Sequence, residues 1–243
     1  KAYRLGKGMP PEVLADKIGV SRAALYRYEK GIPPKLETLD KISNVLEVSL
    51  PSLLGVGIEY ISSCVSFIER MRQIELETKH ISVMFVPISY LLTSDAYDGV
   101  LKAALLESLH HQPDDLDKYV QEVEQICALL KQRKKNYRTL KPNILSLVSS
   151  SEIQRFVQHG FSGRYDLPVD TIKERQAFAE REIQHIIDLL EEQPIGVQLG
   201  ILVETIPNSS YQIFRQPNRD LVAISPFKLG DLPNISLGVA MIT

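Results

Sequence analysis

The sequence predicts two units of different class: an α-helical N-terminal head built as a five-helix bundle over residues 1–57, and an α+β body over residues 58–243 with antiparallel C-terminal strands. Three observations carry this. Apolar residues recur at helical spacing in short, separately capped runs as far as Leu54. Gly55-Val56-Gly57 then breaks the pattern with two glycines framing a brief linker. From Val197 onward the apolar period falls to two, which suits strands rather than helices.

Composition bounds the class. With 243 residues, 44% hydrophobic and 24% charged, the chain is an ordinary globular protein. No apolar run approaches the roughly 18 residues that span a bilayer, and no signal peptide leads the chain. A cytoplasmic location without a membrane partner is therefore expected. The first residue is Lys1, so the true start is expected to lie upstream. Two cysteines, Cys64 and Cys127, do not make a disulfide framework and fit a reducing compartment. The net charge of −2 hides an asymmetry. Residues 1–57 carry nine Lys/Arg against six Asp/Glu, and the remainder nineteen against twenty-four. A basic head on an acidic body suits a head that meets phosphate.

Within the head, residues 1–8 read as the end of a first helix, with Tyr3 and Leu5 as partial core contacts. Pro11 opens a second helix, where its missing N–H costs nothing, and Leu14, Ala15 and Ile18 form its apolar face. Gly19 is placed to end that helix in the left-handed region. Ser21 follows as an N-cap, and Ala24, Leu25 and Tyr28 return the apolar pattern before Gly31 closes the third helix. A helix pair joined by so short a turn can set its second member in a DNA major groove. Lys35 to Leu46 is amphipathic through Leu36, Leu39, Ile42, Val45 and Leu46. Ser49 caps a last short helix with Pro51 in its first turn.

These residues resemble the helix-turn-helix of the phage-repressor-like (Xre/Cro) family. Its Leu-Ala, Gly-Val-Ser and Glu-x-Gly pattern stands here as Leu14-Ala15, Gly19-Val20-Ser21 and Glu29-Lys30-Gly31. The resemblance implies a double-stranded DNA partner and a transcriptional role. Family members often have Thr-Gln where this chain has Pro10-Pro11, and the glutamine grips DNA there. Pro11 cannot, so affinity must come from elsewhere or be lower.

The outward side of the third helix supplies candidates. Arg22, Ala23, Tyr26 and Arg27 project away from the core positions. Arginine offers a bidentate fork to guanine, and alanine can touch a thymine methyl. Ser21 can hold a phosphate at the helix N-terminus. Lys30 and Lys35, flanking Gly31-Ile32-Pro33-Pro34, can hold backbone phosphate. The blander possibility is that Arg22 and Arg27 are only solvated surface.

In the body, Ile58 to about Lys79 carries a helical stripe, either a dimer seam or a helix packed on a sheet, with Glu69, Arg70, Arg72, Glu75 and Glu77 decorating its other sides. A buried strand runs from Ile81 to Pro87. A helix capped by Ser94 or Asp95 reaches about Leu109, and another opens at Asp114-Asp115 and ends in the basic run Lys131 to Arg138. That run is either a DNA or anion contact or, as favoured, a solvated helix end. A strand over Asn143 to Val148, a short helix over Ser151 to Gln158 and a long helix capped by Asp170 or Thr171 follow. An antiparallel meander is expected from Val197 to Ile206, Tyr211 to Arg215, Leu221 to Ser225 and Ile235 to Ile242, broken at Pro207-Asn208, Pro217-Asn218 and Leu229-Gly230-Asp231. The order of parts is also similar to the large effector domain that follows this head in many bacterial regulators, notably actinobacterial ones. Tyr90-Leu91-Leu92-Thr93, Tyr97 and Pro207 to Phe214 carry that likeness.

No enzyme signature is present: no Gly-x-Gly-x-x-Gly, Walker loop, Gly-x-Ser-x-Gly or His-Glu-x-x-His. His110-His111 are adjacent, so both cannot serve one metal from one helix face, and His80, His159 and His185 are scattered. No metal or cofactor is expected. Cys64 and Cys127 sit on apolar stripes as small hydrophobes, against a redox-sensor alternative that needs an exposed thiolate. Tyr211, Phe214 and Phe227 fill core or line a pocket, core being preferred. The expected protein is a homodimeric regulator on a palindromic operator, modulated by a small-molecule or protein effector on its body. The alternative is an antitoxin-like or partner-docking protein that autoregulates its operon.

Overall fold

The computed structural model describes residues 1–84, 87–108, 116–203, 209–229 and 232–243. The head contains the five short helices expected of it: α1 (Ala2–Gly6), α2 (Pro11–Ile18), α3 (Arg22–Glu29), α4 (Leu36–Leu46) and α5 (Leu50–Leu54). Leu14, Ala15, Ile18, Leu25, Ile42 and Leu46 form its core. Gly19 caps α2 at φ 71°, ψ 39°, the left-handed region its lack of a side chain allows. Ser49 caps α5 by accepting the Ser52 N–H at 3.2 Å.

The body is a seven-stranded mixed sheet with helices on one side. Its strands are β1 (Glu59–Ile61), β2 (His80–Met84), β3 (Asn143–Ser149), β4 (Val197–Leu202), β5 (Ser210–Arg215), β6 (Asp220–Ser225) and β7 (Ala240–Ile242), in the order β1-β7-β6-β5-β2-β3-β4. The helices are α6 (Cys64–Glu75), α7 (Ala96–Glu107), α8 (Leu116–Leu140), α9 (Ser150–His159) and α10 (Val169–Glu191), with a 3-10 turn at Tyr90–Leu92. Their apolar sides share one core with the inward strand residues, among them Ile81, Val83, Ile144, Phe214, Ala223 and Ala240.

Strand periodicity sends the alternate residues to the opposite face. There Tyr60, Met241, Ile224, Tyr211, Met84 and Leu147 align in one row from β1 to β3. Val222, Ile213, Ser82 and Leu145 form the next row. All of these are exposed or half-exposed, and Tyr60 and Ile213 are 58% and 38% exposed.

Several expectations are corrected. The helix over Ile58 to Lys79 is β1 followed by α6, and Lys79 leads directly into β2. The β-branched Ile58 and Ile61 around Tyr60 favour a strand, and Ser63 caps α6 by accepting the Ser66 N–H. Glu69 and Glu75 are not surface decoration. Glu69 is buried against Arg72, with bonds of 2.7 and 2.9 Å, and Glu75 is buried against Arg133. Burial opposes the charge of Glu69, but the Arg72 bonds and the Lys1 charge hold its carboxyl below the usual range. The stretch at Val197 is no part of a meander: β4 pairs parallel with β3 at the far edge, and of the four C-terminal strands only β5, β6 and β7 pair antiparallel with one another. Within the expected strand Ile235 to Ile242, only β7 pairs as strand.

The caps also differ. Pro168 stands at the N-cap of α10, and Asp95 at that of α7 without a side-chain bond. Ser94 instead donates its N–H and hydroxyl to Glu182, at 2.7 and 2.6 Å. The expectations at His110-His111, Asp114-Asp115, Pro207-Asn208 and Gly230-Asp231, and the end of β2 at Phe85-Val86, lie outside the described residues.

α1 is shared by the two cores: Tyr3 packs against both. Its other side lies on α6, where the Ser66 hydroxyl donates to the Ala2 carbonyl at 2.9 Å. Gly6 is required here, since a β-carbon at that position would collide with Ser66 Oγ. The Tyr3 hydroxyl donates to Glu59 at 3.2 Å, and Glu59 is held bidentately by Arg70 at 2.9 and 2.6 Å.

Candidate nucleic-acid interface

α3 owes its start to Ser21, whose backbone is extended and whose hydroxyl oxygen accepts the Ala24 N–H at 3.2 Å. The hydroxyl proton remains available to a further acceptor. Ala24 and Leu25 are buried in the head core and Tyr28 is half-buried, so the helical period turns Arg22, Ala23, Tyr26 and Arg27 outward. All four are exposed. So are Ser21, Lys30, which is the C-cap of α3, and Lys35, which is the N-cap of α4 across the loop. The seven candidate residues therefore lie together on and around one exposed helix. Arg22, Arg27, Lys30 and Lys35 have no carboxylate partner among the described residues.

Two features of this face carry weak sequence signals. Arg22 and Tyr26 stand one turn apart, and the guanidinium donates through Nε and Nη2 to the phenol oxygen at 3.2 and 3.0 Å, 5.4 Å from the ring centroid. The hydroxyl, with the charge of Glu12 behind it, raises Arg22 above its ordinary value, so it stays a cation. The second feature is Arg4. It is buried and reaches from α1 to the end of α3, donating to Glu29 at 2.7 and 3.2 Å and to the Met9 carbonyl at 2.7 Å. Glu29 stands in the family pattern, but no local signal pairs it with Arg4 across 25 residues.

The basic run of α8 is a solvated helix end only in part. Arg133 is buried and holds Glu75 through contacts of 2.6 to 3.1 Å. Lys134 donates to the Ser94 carbonyl at 2.9 Å and to Asp98 at 2.8 Å, and its ammonium lies 4.5 Å from the centre of the Tyr90 ring. At helical spacing these two point inward while Lys131, Lys135 and Arg138 stay exposed.

The body holds a cavity of about 30 Å³ among residues that include Phe67, Tyr90, Leu91, Arg133, Gln212 and Phe227. That cavity has room for water only, whereas a second one of about 390 Å³ opens between Asp95, Asp98, Lys131, Lys134, Lys135 and Arg138. Phe214 and Phe227 are core, while Tyr211 faces outward. Both cysteines are buried and unpaired. Burial pushes the Cys127 thiol up to about 11 and Cys64 further. No group of three or more His, Cys, Asp or Glu that could hold a metal ion occurs among the described residues, and no helix among them is long and apolar enough to cross a membrane.

A capped, cationic second helix behind a glycine turn, carried by a small α-helical bundle, defines a helix-turn-helix head on an α+β body. Residues 1–53 match the family model described as Helix-turn-helix, and the head is similar to the Xre/Cro-like DNA-binding modules of transcription regulators. The match ends with the head, and no curated protein or solved structure matches the chain.

Proposed function

We propose that the protein is a sequence-specific transcriptional regulator that binds a palindromic operator as a homodimer. Residues 1–57 are its DNA-binding unit, and residues 58–243 dimerise and receive a small-molecule or protein effector. The observation that carries this reading is the set of four cations, without a carboxylate partner among the described residues, grouped on and beside the exposed side of α3.

In this reading α3 enters the major groove. Arg22 and Arg27 meet base edges, Ala23 and Tyr26 make apolar contact, and Ser21, Lys30 and Lys35 hold phosphate. Tyr26 supports the role of Arg22 by restricting its side chain before DNA arrives, which lowers the entropy lost on binding. Two copies would address half-sites about 34–36 Å apart. An effector that prefers one arrangement of the two heads shifts operator affinity by its differential affinity for the two arrangements.

The two groups of residues separate experimentally. Arg22→Ala and Arg27→Ala should each cost about 1–3 kcal/mol for the preferred site and relax specificity at one position. Lys30→Ala and Lys35→Ala should weaken all sequences alike and lower the salt slope by about 0.9 each. Four substitutions that left both the affinity and the salt slope unchanged would remove α3 as the reading helix.

A further inference from the structure

We propose that the open face of the body sheet is the surface through which two copies of the chain pair. This rests on the homodimer reading above and assigns its interface. The face is apolar across its central strands, with Met84, Leu145, Tyr211, Ile213, Val222 and Ile224 at its middle. All the helices that share the body core lie on the other side. Among the described residues nothing covers this face: Tyr211 is 36% exposed and Ile213 38%, although β5 is the central strand of the seven.

Size and charge select a second copy as the occupant. Seven strands about 4.8 Å apart and some 18 Å long outline a face of about 500 Å² before side-chain relief is counted. A stable interface takes about 800 Å² of accessible surface from each partner, so the face is of the right order. A twofold interface sets each group near its own twin, and like charges there repel. The two central rows carry no charged side chain; among the described strand residues charge enters at one end, where Arg215 stands between Asp220 and His80. A surface without charge can pack on itself, whereas a charged partner would find nothing here to pair with.

The geometry also agrees with the DNA. In a helix–sheet–sheet–helix stack with layers about 10 Å apart, the two α6 layers lie outside, about 30 Å from one another. Each α6 carries its head through α1. A twofold axis running across the strands stacks β1 on its own copy, so both heads emerge at the same edge. The two α6 helices that carry the heads are then spaced by about one turn of DNA. The same axis passes near the middle of β5 and brings Ile213 close to its twin.

The test is sedimentation of the full chain at micromolar concentration, with Ile213→Glu and Ile213→Lys as variants and far-UV circular dichroism as the check on folding. Wild type should sediment as a dimer and each folded variant as a monomer, while an equimolar mixture of the two variants should recover dimers. A folded Ile213→Glu protein that still sediments as the wild-type dimer overturns this interface and leaves the homodimer reading standing. A monomeric wild type overturns both. Hydroxyl-radical labelling of Tyr211 and Tyr60 in wild type needs no variant. Protection that rises with protein concentration supports the interface, and labelling independent of concentration across the dimerisation range contradicts it.

Discussion

Arg4 and Glu29 are joined through a bidentate pair, with contacts of 2.7 and 3.2 Å, that ties α1 of the head to the end of α3. Both side chains are nearly closed off from water, at 6% and 8% exposure. Arg4 also satisfies the Met9 carbonyl, so one guanidinium fixes α1, the end of the α1–α2 turn and α3 together. Removing either partner leaves a buried charge without its counterpart, which costs about 3–5 kcal/mol. Glu29→Ala should therefore lower the stability of the head by that order in chemical denaturation. Operator binding should weaken with it, although Glu29 meets no DNA in this account.

Gly6 marks where the head meets the body. Its missing side chain admits Ser66, whose hydroxyl reaches the Ala2 carbonyl. Gly6→Val should push α1 off α6 while each core stays folded. The measurement is limited proteolysis, where cleavage near Gly55 to Gly57 should become faster than in wild type. An unchanged cleavage rate would contradict the close approach.

The Arg133–Glu75 pair binds α8 to α6 under the sheet. Glu75→Ala strands a buried guanidinium and should destabilise the body by about 3–5 kcal/mol. Replacing both residues by Met removes the two charges together and should recover most of that loss. A double variant no better than the single one would show that Arg133 has a further partner.

The cysteines should behave as core residues. At pH 8 a thiol near the value of Cys127, about 11, is ionised to only about one part in a thousand. Burial raised that value, and it raises Cys64 further. Alkylation of the native protein should be slow for both and become rapid in denaturant. Rapid reaction of Cys127 in the native state at pH 8 would revive the redox-sensor alternative.

The head was legible because its signals are local. Gly19, Ser21, Ser49 and Pro51 each act within one turn of their own position, and each is found at the cap or first turn that its chemistry suits. The body was legible in its class but not in its topology. A periodic apolar run tells strand from helix over several residues, but nothing local tells that β4 joins β3 in parallel while β5 turns back beside β2. The same limit applied to charge. Lys131 to Arg138 reads as a uniform basic end, yet Arg133 and Lys134 are buried because Glu75, Asp98 and the Ser94 carbonyl arrive from distant parts of the chain. Of the candidate face, the outward direction of Arg22, Ala23, Tyr26 and Arg27 followed from the helical period. The Arg22–Tyr26 contact and the Arg4–Glu29 tie needed coordinates.

Selection of full-length protein against random-sequence duplex DNA tests the central claim most directly, with the Arg22→Ala/Arg27→Ala variant run in parallel. The account predicts that wild type enriches a palindrome whose half-sites lie about 10 base pairs apart, and that the variant enriches none. Wild type enriching no motif, or the variant recovering the same palindrome, would contradict the assignment of α3 as the element that reads DNA.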